Sequence, residues 1–242
     1  MARDSTIDSL RGIALLLMVM VHAAATWQPS QTPTTGILAF VVAGLGGLAA
    51  PIFIVLVGWG LARSRREIRA ILLKVAILVM AQVLVNISGS HLFDPLTPGV
   101  LSLIAILILT SGLWLPITRI EYNDKPIWLI PFLIMMILPA LISPAPLTWS
   151  GMVYTPDFQA LVSHLLWDGT YPLFPWLVFA MVGARLHDLS HIEKGSGHLL
   201  SLGVVLFFFW SGMAYTSGTQ LAAPSGVAVM TFFPANLPFI TT

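Results

Sequence analysis

Long apolar runs separated by short polar connectors set the pattern of this chain. The runs close near Trp27, Leu61, Ile87, Ile117, Ile142, Leu186 and Tyr215. A helix that crosses a bilayer needs about 20 apolar residues, with about 17 as the lower limit, and residues 10–27, 37–61, 68–87, 100–117 and 199–215 qualify. Residues 127–142 and 171–186 are shorter and carry prolines, which predicts tilted or irregular helices packed inside a bundle. The pattern predicts an all-α, polytopic helical membrane bundle of about seven transmembrane helices, with residues 1–242 forming a single transmembrane domain. Beyond Tyr215 a small-residue connector leads to Val227 and a Pro-Ala-Asn-Leu-Pro-Phe segment, where the chain stops as though another helix were beginning; the C-terminus reads as truncated.

The connectors alternate in charge. Arg3 and Arg11 precede the first run, Arg63, Arg65, Arg66, Arg69 and Lys74 flank the second turn, Arg119 and Lys125 occupy the fourth, and Arg185 and Lys194 the sixth. The remaining connectors carry neither Lys nor Arg, so the positive-inside rule puts all eleven cations and the N-terminus in the cytoplasm. Composition agrees: 57% hydrophobic residues, 9% charged residues and a mean hydropathy of +0.91 leave too little polar surface for a soluble globule. The net charge of +1 follows from topology, and no basic patch with interleaved aromatics marks a nucleic-acid partner. The absence of cysteine removes disulfides, thiol catalysis and zinc-thiolate sites. A basic start, an apolar run and Ala23-Ala24-Ala25 imitate a signal peptide, but Asp4 and Asp8 in the leading segment argue that the first helix is retained.

Trp27, Trp59, Trp114, Trp128 and Trp176 fall near run ends and read as headgroup-level anchors in contact with membrane lipids. Gly44, Gly46, Gly47, Gly58 and Gly60 in the second run permit close helix packing, within the chain or in a homo-oligomer. In the longest outer connector, Thr155-Pro156-Asp157 reads as a helix start, followed by Phe158, Leu161, Val162, Leu165 and Leu166 at helical spacing and closed by Gly169. This predicts an interfacial helix across the outer mouth, with His164 and Asp168 one turn apart.

Arg11 and His22 are eleven residues apart, which at about 100° per residue places them within about 20° on one helix face and about 16 Å apart along the axis. Asp8 lies close enough to orient Arg11. An ionisable residue inside a span is a functional hypothesis, set against a neutral histidine bonded to a neighbouring helix. These residues carry a resemblance. Arg11-Gly12-Ile13-Ala14, preceded by Ile7-Asp8-Ser9-Leu10 and followed by Met18 and His22, resembles the first helix of membrane acyltransferases related to heparan-alpha-glucosaminide N-acetyltransferase; bacterial acyltransferase family 3 shares the Arg, ten residues, His pattern. Pro51-Ile52-Phe53 through Gly58, Gly99-Val100-Leu101, and Tyr171-Pro172-Leu173-Phe174-Pro175-Trp176 through Gly183 follow the same family order. Nearer relatives of the heparan enzyme often carry Asn at the position of His22 and a histidine in the next loop. Residues 26–36 contain none, so His22 follows family 3.

The resemblance implies transfer of an acyl group, usually acetyl, from cytoplasmic acyl-CoA to a glycan or glycoconjugate across a membrane, here expected to be a prokaryotic cell membrane. Acyl-CoA is a donor substrate, with no permanently bound cofactor. His22 takes the catalytic position, as general base or as transient acyl carrier. Guanidinium forks match the phosphates of CoA, which makes Arg11, Arg63, Arg66 and Arg69 donor-site candidates beside the plain topological reading. His91, Asp94, His164 and Asp168 are candidates for the acceptor mouth. His187 and His191 have metal-ligand spacing, but Asp188 and Glu193 make no carboxylate-rich shell, and no metal is expected. A transporter or assembly subunit is the rival class. Asp94, Glu121, Asp124, Asp157 and Asp168 all fall in connectors rather than spans, and no inverted repeat is evident, which counts against coupled transport.

Overall fold

The computed structural model describes residues 5–27, 37–64, 67–91, 93–121, 129–142, 153–189, 196–223, 228–231 and 235–241. Helices α1 (Ser5–Trp27), α2 (Ile37–Arg63) and α3 (Ile68–Ser88) are long and apolar enough to cross a membrane. Two bent pairs are long and apolar enough to cross when each is taken as one span: α4 (Val100–Leu109) with α5 (Ser111–Ile117), bent by 74°, and α7 (Phe158–Ser163), continued by a π turn (His164–Asp168), with α8 (Leu173–Leu189), bent by 48°. The two remaining apolar runs form α6 (Leu129–Ile142) and α9 (Ser196–Ser217). Helix thus occupies every predicted run.

The fourth run is not the straight span expected from its hydropathy. At Thr110 the backbone leaves the helical region, with φ −88° and ψ 3°. Side-chain donors bond the carbonyls around the break: the Trp114 indole donates to Leu107 O at 3.0 Å and Ser111 Oγ to Ile108 O at 2.7 Å, while Thr110 Oγ1 adds a 2.6 Å bond to Ile106 O, which the Thr110 amide still holds at 2.9 Å. Without such donors a break at membrane depth would cost several kcal/mol per orphaned group. Trp114 is therefore a buried staple rather than a headgroup anchor, and the same correction applies to Trp176, which is wholly buried. Trp128 lies outside the described residues.

The core is built on α8, whose Trp176, Leu177, Val178, Ala180, Met181 and Ala184 are buried against α2, α4 and α6. Phe174 leaves the helical region and its bond to Pro175 is cis, the irregularity that the prolines of this run predict. The closest approach is a reciprocal glycine crossing. A methyl carbon placed on Gly58 would overlap the carbonyl oxygen of Ala180, and one placed on Gly183 would overlap that of Val55, so each glycine lies over the carbonyl three residues before the other. The Trp59 and His187 rings, four residues beyond Val55 and Gly183, meet with centroids 5.2 Å apart. The two helices therefore run parallel. Helix α1 packs on α2 with Val21 against Gly46, near the linked ends of both, which makes them an antiparallel hairpin.

Helix α3 is apolar outside and polar inside. Leu72, Leu73, Ile77, Met80, Leu84 and Val85 are exposed, as suits a lipid-facing surface, whereas its buried residues are Gln82 and Asn86. Asn86 Nδ2 donates to Pro95 O at 3.0 Å and Thr97 O at 2.7 Å, and Gln82 bridges Asn86 Oδ1 (2.9 Å) and Leu101 N (3.1 Å). The two amides thereby hold the turn that returns the chain into α4. Helix α6 packs on α8 and α10 and, among its described side chains, leaves Ile130, Leu133 and Ile134 exposed, so this part of it lies at the bundle edge rather than inside it. The segment after α9 holds a parallel strand pair, β1 (Gln220–Ala223) and β2 (Ala228–Thr231), and a helix α10 (Leu237–Thr241). No alternating pattern announces these strands. Asn236 Oδ1 accepts from Thr231 N and Phe239 N, both at 3.1 Å, and Phe239 rests on the rings of Trp176 and Phe179.

Candidate active site

The fold sorts charge by end. Parallel α2 and α8 bring Arg63 and Arg185 to one end, Arg119 joins them through Asp188, and Arg69 and Lys74 follow from the α2–α3 turn. Arg11, about 15 Å before Val21 along the antiparallel partner of α2, points its helix toward the same end. A cleft of about 50 Å³ opens there beside the Thr110 break, lined by Ser64, Glu67, Lys74, Ile108 and Ser111. At the opposite end the described residues include His91, Asp94, Asp157, His164 and Asp168 and neither Lys nor Arg. Connectors that the alternation of charge assigns to one face are thus neighbours in space.

Helix α1 carries the candidates Arg11 and His22 without interruption. Asp8 Oδ1 accepts from Arg11 Nη1 at 3.2 Å, the orientation their register predicts, in an exposed pair of the kind worth about 0–1 kcal/mol. His22 is exposed, and its Nδ1 lies 2.8 Å from Met18 O. A carbonyl only accepts, so Nδ1 is the donor and Nε2 is the nitrogen left facing outward. That leaves a tautomer suited to taking a proton or an acyl group. Arg63 and Arg69 are exposed at the basic end, while Arg66 lies outside the described residues.

The four acceptor-side candidates form a rim at the other end. Asp94 Oδ2 accepts from Thr155 N at 2.7 Å, Thr97 Oγ1 bonds to Thr155 Oγ1 at 2.9 Å, and Phe93 pairs with Val153, which locks the α3–α4 connector to the stretch before α7. Asp157 rather than Thr155 caps α7, accepting from Ala160 N at 2.7 Å. His164 and Asp168 meet as their spacing predicts, with Nδ1 2.9 Å from Oδ1, but in a π turn. His164 Nε2 faces Tyr154 O at 2.9 Å and Asp168 Oδ2 accepts from Ser163 at 2.8 Å, so this pair is a strut of the rim. His91, in the turn that follows α3, is exposed.

Two ion pairs at the basic end were not legible in any local motif. Arg119 grips Asp188 with a fork of 2.7 and 3.0 Å, and Arg185 reaches Glu121 at 2.7 Å. They tie the connector after α5 to the end of α8. Asp188 lies beyond Leu186, where the apolar run ends. Burial pushes its carboxyl up, but the hydrogen bond from Arg119 and then that from His187 outweigh burial and hold it below the usual carboxylate range. Among the described residues no cluster of His, Asp and Glu could hold a metal ion.

A bundle of apolar helices with one basic end, one carboxylate and imidazole end, and an ionisable helix between them defines a helical membrane protein equipped for chemistry. Residues 3–199, about four-fifths of the chain, match the family described as heparan-alpha-glucosaminide N-acetyltransferase, catalytic, and the chain belongs to that family. Its activity is of the acetyltransferase type. No curated protein and no solved structure matches.

Proposed function

We propose that this protein transfers an acetyl group from acyl-CoA, bound at the basic end in the cytoplasm, to a glycan or glycoconjugate received at the opposite face. The observation that carries this reading is α1, a single helix that bears Arg11 toward the basic end and presents His22 Nε2 about 16 Å further along. The pantetheine arm has similar reach, so the thioester meets the imidazole while the nucleotide stays outside the membrane. Nε2 either takes the proton from the acceptor amine or hydroxyl as that group attacks the thioester carbonyl, or attacks the carbonyl itself to form an acyl-imidazole that the acceptor then opens. On both routes the C–S bond breaks and CoA leaves as thiolate, to be protonated to the thiol. Arg11, Arg63, Arg66 and Arg69 serve the donor phosphates; His91, Asp94, His164 and Asp168 frame the acceptor mouth.

The test is acetyl transfer in oriented vesicles, with acetyl-CoA inside and an impermeant glycan acceptor outside. The wild type should transfer and His22→Ala should not, at unchanged expression and thermal stability. A His22→Ala protein with near-normal turnover would remove the imidazole from the mechanism. Transfer that requires both substrates on one side would defeat the two-sided geometry.

A further inference from the structure

The paired guanidiniums of the basic end point to a device that the donor itself operates. Arg119 presents Asp188 with the planar fork that also fits two oxygens of a phosphate, and a phosphate offers more charge than a carboxylate. Arg185 holds Glu121 through one Nη, and the Glu121 side chain is half exposed. Both carboxylates have somewhere to go. His187 Nδ1 stands 3.3 Å from Asp188 Oδ1, its ring set against Trp59, so Asp188 keeps a partner when Arg119 turns away; Glu121 returns to water. The pairs also bear on a bend in the architecture, because Arg119 follows α5, the short helix set at 74° to α4 across Thr110.

We propose that Arg119 and Arg185 are phosphate-binding residues held shut by Asp188 and Glu121, and that arrival of acyl-CoA exchanges carboxylate for phosphate and releases α5 from the end of α8. This rests on the donor reading given above and adds two residues and a coupling to it. An anionic lipid headgroup has the same phosphate chemistry, and the choice of membrane separates the two sources.

The test combines affinity with distance in nanodiscs of phosphatidylcholine, repeated with phosphatidylglycerol added. By calorimetry, Arg119→Gln should weaken CoA binding about tenfold, and Asp188→Asn, which removes the competitor, should tighten it several-fold; acetyl-pantetheine, which has no phosphate, should be indifferent to both. Nitroxide labels on Ile120→Cys and Leu189→Cys, in a chain without native cysteine, should move apart on addition of CoA. In the Asp188→Asn background they should be apart beforehand. CoA binding that is unaltered in both variants, with labels that stay together, would overturn the exchange and leave the donor reading standing. A wild type that binds no CoA would overturn both. Labels that separate with phosphatidylglycerol alone, and no further with CoA, would assign the exchange to lipid and overturn the proposal.

Discussion

The reciprocal crossing of α2 and α8 makes a sharp demand on two glycines. A methyl carbon on Gly58 would overlap the Ala180 oxygen and come within 2.7 Å of its carbonyl carbon and 2.9 Å of its Cα; on Gly183 it would meet the same atoms of Val55 at 2.7 and 3.0 Å. These are backbone atoms, so no side chain can rotate away and the helices must separate. Forced overpacking costs about 1–3 kcal/mol, and pulling a Cα–H away from the carbonyl it faces across the crossing adds about 0.5–1 kcal/mol. Gly58→Ala and Gly183→Ala should therefore each destabilise the bundle by about 1.5–4 kcal/mol. Gly60, two residues along α2, is the internal control, since a methyl there meets nothing within 4 Å. Gly60→Ala should be neutral or gain up to about 1 kcal/mol from helix propensity. Unfolding of the purified proteins in mixed micelles of rising SDS fraction, followed by circular dichroism, reads the difference directly. If Gly58→Ala unfolds at the same SDS fraction as Gly60→Ala, the crossing is looser than described and the argument for parallel packing fails with it.

Other outcomes follow from separate features. Asn86→Leu removes the donor of the buried bond to Thr97 O and of the half-buried bond to Pro95 O and should cost about 1–3 kcal/mol in the same micelle assay; an unchanged transition would mean that water replaces the amide. Arg11→Ala should weaken CoA binding by about 1.5–3 kcal/mol, the worth of a charge-assisted hydrogen bond, without altering the unfolding transition. Equal affinity by calorimetry would confine Arg11 to topology. The lowered carboxyl of Asp188 contributes stability that is complete at neutral pH and is lost only as pH falls through the folded-state value, below the ordinary carboxylate range; Asp188→Asn should therefore abolish an acid-induced separation of labels at Ile120 and Leu189, seen by spin-label distances. Cysteine at Ser90 should react with an impermeant maleimide from the outer side and cysteine at Ser64 from the inner side, and the reverse pattern would invert the molecule.

Local periodicity carries α1 to α3, the register of Asp8, Arg11 and His22, and the pairing of His164 with Asp168, because each depends only on residues a few turns apart. Hydropathy alone reads residues 100–117 as one span and misses the bend at Thr110, where the deciding feature is a set of hydroxyl and indole donors rather than apolar content. Partners distant in sequence are silent in the same way. The glycines of α2 announce close packing, but nothing near them names α8, and Arg119 and Arg185 look like topology signals until Asp188 and Glu121 arrive beside them. Trp176 sits near a run end like an anchor and is drawn into the core by the kink at Phe174.

The α2–α8 crossing also sets a timetable for synthesis. Gly58 and Gly183 are 125 positions apart in the chain, and ribosomes add about 5–20 residues per second. For about 6–25 s after α2 leaves the ribosome its glycine face has no helix to meet, while α1 and then the α3–α4 hairpin are already in place beside it. An insertase or the lipid itself must cover that face through the interval. Ribosome stalling between α6 and α8 should accordingly leave a nascent chain whose second helix is the one seized by membrane quality-control proteases.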